Sequence, residues 1–481
     1  MSNIHDLLGI QQRRRFLRDC AGGIGTIALA QLLAEDGVAV ENSSLTDPQK
    51  QKSPHYTPTA KNVIFLNMAG GPSQLDLFDN KALLQKLDGS PIPDSFVADL
   101  DDTVIKGGAV MATPRTFSRT GDCGMEFSDL LPHLSQTADE LCMIRAMHTD
   151  TANHHPAQLL LNCGTQMFDH PSLGTWVNYG LGSQSRNLPG FVVLKSYSKD
   201  ASLVGPSLWT SGFLSSTYRG VAFRSKGDPI LHLTNPDGVS QSFQRARLDA
   251  IGELNQLRLE TTHDQEIATR MASYELAYRM QMAAPELLDF SDETAETLAM
   301  YGIDNEQTRW YGTNCLLARR MIERGVRFVQ LYHADWDHHL ELNKLLPIDC
   351  GMTDQPAAAL ITDLKQRGLL DETLVVWGGE FGRTPMIEVR RASNPEVAGR
   401  DHHPFGFTML MAGGGVKGGH IVGETDELGY HGVKDRVHIH DLHATILHCL
   451  GLDHERLTYR HKGRDFRLTD VRGNVVTKVL A

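Results

Sequence analysis

The sequence predicts an α/β protein built on a mostly parallel sheet. Short continuous apolar runs bounded by turn formers recur along the chain, as strands buried on both faces require. Segments with apolar residues at three- and four-residue spacing lie between them, which is the alternation that builds crossover connections. The first run is 63–66, and the Gly-rich segment 68–76 after it occupies the place of a strand-end loop. Further strands are expected at 141–144, 190–194, 326–332, 373–377 and 407–411. The clearest helical block is 241–282, free of Gly and Pro after Gly252, and reads as one or two long exposed helices. Residues 291–324 continue in helical style with a break at Tyr301-Gly302, and 354–367 precedes the strand around Val375 as a crossover helix should. The region of about 200–300 is then a helical insertion packed over one end of the sheet.

At 481 residues the chain is long enough for one large domain with insertions or for two domains. Its 58 acidic and 46 basic side chains give a net charge of -12, and no basic stripe is interleaved with aromatics, which disfavours nucleic-acid binding. Arg13-Arg14, a spacer, Phe16-Leu17 and Arg18 precede an apolar, small-residue run from Ala21 to Ala34 and then Glu35-Asp36. This resembles a twin-arginine export signal with Gln12 in place of the usual Ser or Thr. The expected divisions are a signal at 1–40, a polar, Pro-containing linker at 41–60 and a folded part at 61–481. The expected location is periplasmic or extracellular, with the twin-arginine export machinery as a partner. The apolar run is too short and Gly-rich for a stable membrane span, and no later stretch replaces it. None of the seven Cys forms a C-x-x-C pair, so spacing assigns no disulfide.

Of the 22 His, eleven fall between His333 and His448. Their centre is Asp335-Trp336-Asp337-His338-His339, where carboxylates and imidazoles leave an apolar strand together. Side chains of these two kinds can converge on one divalent cation, and the C-terminal strand edge is where open α/β sheets place their chemistry. Three other strand-end loops carry ligand-type residues: Asp76 with Asp79, Asn153-His154-His155-Pro156, and Glu380 with His402-His403 beyond it. A mixed carboxylate and imidazole set points to one or two divalent ions, zinc first, with manganese, magnesium or calcium as alternatives. Arg383, three residues after Glu380, is a candidate for holding an anionic substrate.

Four segments carry a resemblance over nearly the whole chain: 62–76, 318–329, 379–385 and 440–451. The chain resembles the alkaline phosphatase superfamily, which includes sulfatases, and within it the exported bacterial family catalogued as domain of unknown function 1501. The resemblance implies an alkaline phosphatase-like, mostly parallel sheet flanked by helices. It also implies a first metal held by an Asp-x-x-x-His pair, matched by Asp335 and His339, and by a later His, matched by His403. A second metal takes Asp76 and Glu380, but Phe381 stands where that site expects a His, and a phenyl ring cannot ligate. His154 occupies the nucleophile position, where an imidazole could ligate metal, attack phosphorus or act as acid or base. His155 and Asn153 would face the scissile bond beside it.

The implied function is metal-dependent hydrolysis of an anionic sulfate or phosphate ester, with a sulfated or phosphorylated carbohydrate as a substrate class. The missing hydroxyl or thiol nucleophile and Phe381 support a rival: a non-catalytic, exported metal- or glycan-binding protein derived from such a hydrolase.

Overall fold

The computed structural model describes residues 49–97, 108–196, 203–223, 235, 238–388 and 397–481. The expected signal at 1–40 and the linker up to residue 48 lie outside the described residues.

In chain order the elements that position the site are β1 (Asn62–Met68), β2 (Leu141–His148), α1 (His154–Cys163), α2 (Leu173–Leu181), β3 (Phe191–Lys195) and β4 (Val221–Ala222). They are followed by α3 (Gln241–Thr262), α4 (Gln265–Leu288), α5 (Arg309–Glu323), β5 (Phe328–His333), α6 (Leu342–Gln366) and β6 (Thr373–Gly378). The chain then forms β7 (Gly382–Ile387), β8 (Arg400–His403), β9 (Phe407–Ala412), β10 (His420–Val422), β11 (Val437–His438) and α7 (Ile439–Cys449).

The main sheet has nine strands among the described residues, in the order β10-β2-β9-β6-β1-β5-β3-β4, with β11 also beside β2. All its pairings are parallel except those of β9, which runs antiparallel to both β2 and β6. The C-terminal ends of β1, β2, β3, β5 and β6 therefore share one edge, and every loop with ligand-type residues starts there or passes over it. The short hairpin of β7 and β8 is separate from the sheet, and His402 pairs with Arg383 and His403 with Gly382 across it.

Side-chain alternation in β1 shows why the strand reads as a continuous apolar run. Val63 and Phe65 enter one core with α1, α2 and α7, while Ile64 and Leu66 enter another with α5 and α6. Each of the strand segments expected from sequence lies in or overlaps an observed strand. The block at 241–282 is two helices, broken where His263 takes a left-handed conformation and Asp264 accepts a hydrogen bond from the Glu266 backbone N–H. The crossover helix differs more: α6 begins at Leu342, twelve residues before the expected start, and contains Pro347 and Pro356. A proline reads as a helix break because it lacks the N–H and crowds the preceding turn. Here burial of Leu342, Leu346 and Cys350 holds the early turns in place.

Candidate metal centre

β1 ends in Met68, and the chain then turns through Gly70, whose φ of 119° suits glycine alone. A Cβ there would lie 2.5 Å from Asp337 N, so the backbone after β1 and the backbone after β5 touch at this point. β5 delivers the segment after His333. Asp335 turns the chain with a φ of 80°, the fully buried Trp336 packs edge-on to Trp377 at 6.1 Å, and Asp337 emerges at the sheet edge.

Four ligand atoms converge there: one each from His154, Asp337, His339 and His402, all within 4.8 Å of one another. His339 Nε2 and His402 Nε2 lie 2.8 Å apart, and each is 3.0 Å from Asp337 Oδ1. His154 Nε2 is 3.2 Å from the same oxygen. It makes no hydrogen bond to that oxygen.

The opposite nitrogens assign the tautomers. His154 Nδ1 donates to Glu380 Oε1 at 2.7 Å, His339 Nδ1 donates to Glu388 Oε2, and His402 Nδ1 donates to the Ala152 carbonyl at 2.7 Å. In neutral imidazoles so held, all three Nε2 atoms present lone pairs to a shared point beside a carboxylate oxygen. Lone pairs at such separations repel unless a cation or proton lies between them. Three imidazoles and one carboxylate, with each Nδ1 tied to an acceptor, form the donor set and outer hydrogen bonding that a divalent transition ion takes. The residues therefore fit a metal ion. A second convergent trio, His339, Glu388 and Asp401, shares His339, whose Nδ1 is already bonded to Glu388.

The surroundings tune these groups. Burial by itself would lower the His154 pKa, but the Asp337 and Glu380 carboxylates outweigh it and raise it to about 9. Burial lowers His402 to about 4 against the pull of Asp337. Burial would raise the Asp337 carboxyl, yet the imidazoles of His154, His339 and His402 beside it and the charge of Arg383 hold it well below the usual carboxylate range. Phe381 packs against two of the ligand rings, 4.9 Å from His154 and 4.5 Å from His402 between centroids. The residue that breaks the expected second site thus covers the apolar side of the observed one.

Several expected site residues stand elsewhere. His403 is not in the convergent group; its Nε2 donates to the Tyr430 carbonyl, and burial lowers its pKa to about 4. Consecutive strand residues point to opposite faces, so only one of His402 and His403 can face the centre, and it is His402. Asp335 is also outside the group, since the turn it makes passes the ligand role to Asp337. Glu380 lies one bond further out, accepting from His154, from Gln158 Nε2 at 3.2 Å and from Gly70 N at 3.0 Å.

Asp76 is buried against Arg400, 2.8 Å from its Nε, and accepts from the Ser73 hydroxyl. Burial would raise its pKa, and the Arg400 charge and bonds bring it below the ordinary value instead. That ion pair engages the carboxylate expected to hold a second metal. Arg383 is fully buried and spends its guanidinium on the carbonyls of Gly70, Gly71, Trp336 and Arg400 and on Asp337 Oδ1 at 2.6 Å. It braces loops and is closed off from solvent. Asn153 and His155 are exposed at the start of α1, beside His154. Glu388 carried no sequence signal: it enters the site only through the tertiary contact with His339.

The family profile described as "Protein of unknown function (DUF1501)" matches residues 60–480. The chain belongs to this family. No curated protein matches the DUF1501 chain. Among solved structures it is similar to PsFucS1 sulfatase from Pseudoalteromonas sp., at 11% identity over 82% of this chain and 68% of that one, with a TM-score of 0.33. It is similar to the lipoteichoic acid synthase LtaP from Listeria monocytogenes, at 9% identity over 91% and 81% of the two chains, with a TM-score of 0.36. Alkaline phosphatase from the Antarctic bacterium TAB5 is matched at 12% identity over 82% and 99%, with a TM-score of 0.30. No helix of the DUF1501 chain is long and apolar enough to cross a membrane among the described residues.

Proposed function

We propose that this DUF1501 chain is an exported, metal-dependent hydrolase of sulfate or phosphate esters, with a substituted carbohydrate as a substrate class. The observation that carries the reading is the convergence of three imidazole Nε2 atoms on Asp337 Oδ1 at the C-terminal edge of the sheet. Zinc is the ion this donor set suits best, with manganese next. Held by His154, Asp337, His339 and His402, it would supply Lewis acidity towards an ester oxygen and acidify a water molecule.

The chain's own residues supply the rest. Glu380, Glu388 and the Ala152 carbonyl keep a proton on each Nδ1, so that each Nε2 stays a donor to the ion. Phe381 keeps water from the far side of two ligand rings. The Asp337 side chain is 28% exposed, which leaves the centre accessible to solvent. His155 is exposed beside His154 at the start of α1, outside the ligand set, and we assign it the proton delivered to the leaving oxygen, with Asn153 as a hydrogen-bond partner of the ester. The arginine pair at 13–14 supports the exported reading.

The test is turnover of a panel of chromogenic and carbohydrate sulfate and phosphate esters by metal-stripped protein, with zinc, manganese, magnesium or calcium added back. Metal-dependent turnover that is lost in Asp337→Ala is the expected result. One observation favours a second reading: Arg383, the candidate anion holder, has its donors spent. Tight metal binding without turnover of any ester would establish that reading, a non-catalytic metal- or glycan-binding protein.

A further inference from the structure

Immediately after α1 the chain doubles back along the helix. Its first anchor is Gly164, left-handed at the helix C-cap, where a Cβ would lie 1.9 Å from the Leu468 carbonyl oxygen. The Gly164 carbonyl also accepts a hydrogen bond from His440 Nε2 at 2.8 Å. At the other end His170 packs between Phe213 and Phe466, with ring centroids 5.4 and 5.7 Å away. Gly212 lies so close that a Cβ there would be 2.6 Å from the Asp169 carbonyl oxygen. A segment pinned at both ends does not expose its side chains by fraying.

Between the anchors, Met167 and Phe168 are 62% and 59% exposed. Two adjacent large apolar side chains held in water forgo the stabilisation of burial, and an apolar patch beside a functional site is a candidate binding surface. The place is specific. The Phe168 ring lies 6.5 Å from that of His155, and His155 is the neighbour in α1 of the metal-group residue His154. The apolar patch thus lies at the start of α1, the helix that delivers His154 to the metal centre.

We infer that Phe168 and Met167, with His155, form a subsite for the flat apolar face of a six-membered ring, aryl or pyranose, carried by the alcohol part of the ester. The inference rests on the proposed hydrolytic centre for the position of the anionic group, and it adds the class of group attached to it. The flat face of a phenyl or sugar ring covers an exposed aromatic ring, whereas a methyl ester leaves it in water. Met167 supplies an adaptable, polarisable edge.

The experiment is calorimetric binding to the full, zinc-loaded chain of paired probes that differ only in the ring. Phenylphosphonate is set against methylphosphonate, and methyl glucoside 6-sulfate against methyl sulfate. Phenol and methyl glucoside report the ring without the anion. Phe168→Ala removes the platform at little cost to folding, and Phe168→Tyr restores it. A ring-bearing probe is expected to bind about fivefold to tenfold tighter than its methyl partner, with the advantage gone in Phe168→Ala, kept in Phe168→Tyr, and methyl-partner affinity unchanged throughout. The larger of the two advantages identifies aryl or pyranose. If methylphosphonate binds and neither ring adds affinity, the ring subsite is wrong while the metal centre stands. If no anionic probe binds, the hydrolytic reading fails, and the ring-only probes decide: binding lost in Phe168→Ala keeps the platform, and no binding overturns it.

Discussion

His154 and Glu380 form a buried imidazole–carboxylate pair, Nδ1 to Oε1 at 2.7 Å, that leaves His154 Nε2 facing three other ligand atoms without a hydrogen bond of its own. A ring nitrogen in that position can hold either a proton or a metal ion. The same pair therefore governs the pH response of the metal-free and metal-loaded protein.

In the metal-free protein the folded pKa of His154, about 9, lies above the unfolded 6.5. Its proton then stabilises the fold fully below about 6.5, and this contribution is lost as the pH rises through about 9. A metal ion must displace that proton, so zinc affinity should rise about tenfold per pH unit below 9, with one proton released per ion. Chelator competition at pH 6, 7 and 8 measures it, and a flat profile would remove His154 from the ligand set.

His402→Ala and His403→Ala should part sharply although the residues are neighbours. The first removes a ligand and should abolish tight zinc binding with little change in the melting temperature of the metal-free protein. The second removes a buried hydrogen bond to the Tyr430 carbonyl and should cost about 1–3 kcal/mol of stability while zinc still binds. Asp337→Ala against Asp335→Ala makes the same comparison on the carboxylate side. Zinc affinity lost in His403→Ala and kept in His402→Ala would refute the assignment.

Glu380→Gln should lower zinc affinity about 10- to 100-fold, because a carboxylate that orients a ligating His also raises its basicity. The amide can still accept from Gly70 N, so folding should survive. Unchanged affinity in a titration would make Glu380 a purely structural residue.

Asp76→Ala leaves Arg400 buried without its carboxylate and should destabilise by about 3–5 kcal/mol, read by denaturant unfolding. Since burial and Arg400 together leave the Asp76 pKa below its ordinary 3.8, its contribution is present above that pH and lost as the pH falls further. Metal stoichiometry should stay at that of the wild type. A lost ion in a variant that remains folded would return Asp76 to the metal site.

Replacing Arg13 and Arg14 by Lys should leave folded protein in the cytoplasm if the N-terminal segment is a twin-arginine address. Periplasmic yield after cell fractionation is the measurement, and an unchanged yield would count against that address.

By itself the sequence determined the strands, because apolar runs such as 63–66 and 373–377 are short, rich in β-branched and aromatic residues and bounded by turn formers, which suits strands buried on both faces of a sheet. It also pointed to candidate loops, since carboxylates and imidazoles gather where 153–155, 335–339, 380 and 402–403 leave or flank strands. Within those loops it could not choose. Asp335 and Asp337 are two residues apart, His402 and His403 one, and a single left-handed residue or the phase of one strand decides which side chain joins the convergent group. Tertiary contacts alone recruit Glu388 from a separate hairpin to His339, join Asp76 to Arg400 across 324 positions, and spend the donors of Arg383 on backbone carbonyls. Spacing along a chain records the type of ligand available. The direction a side chain takes depends on backbone dihedrals and on distant partners, and these are settled only when the whole core packs.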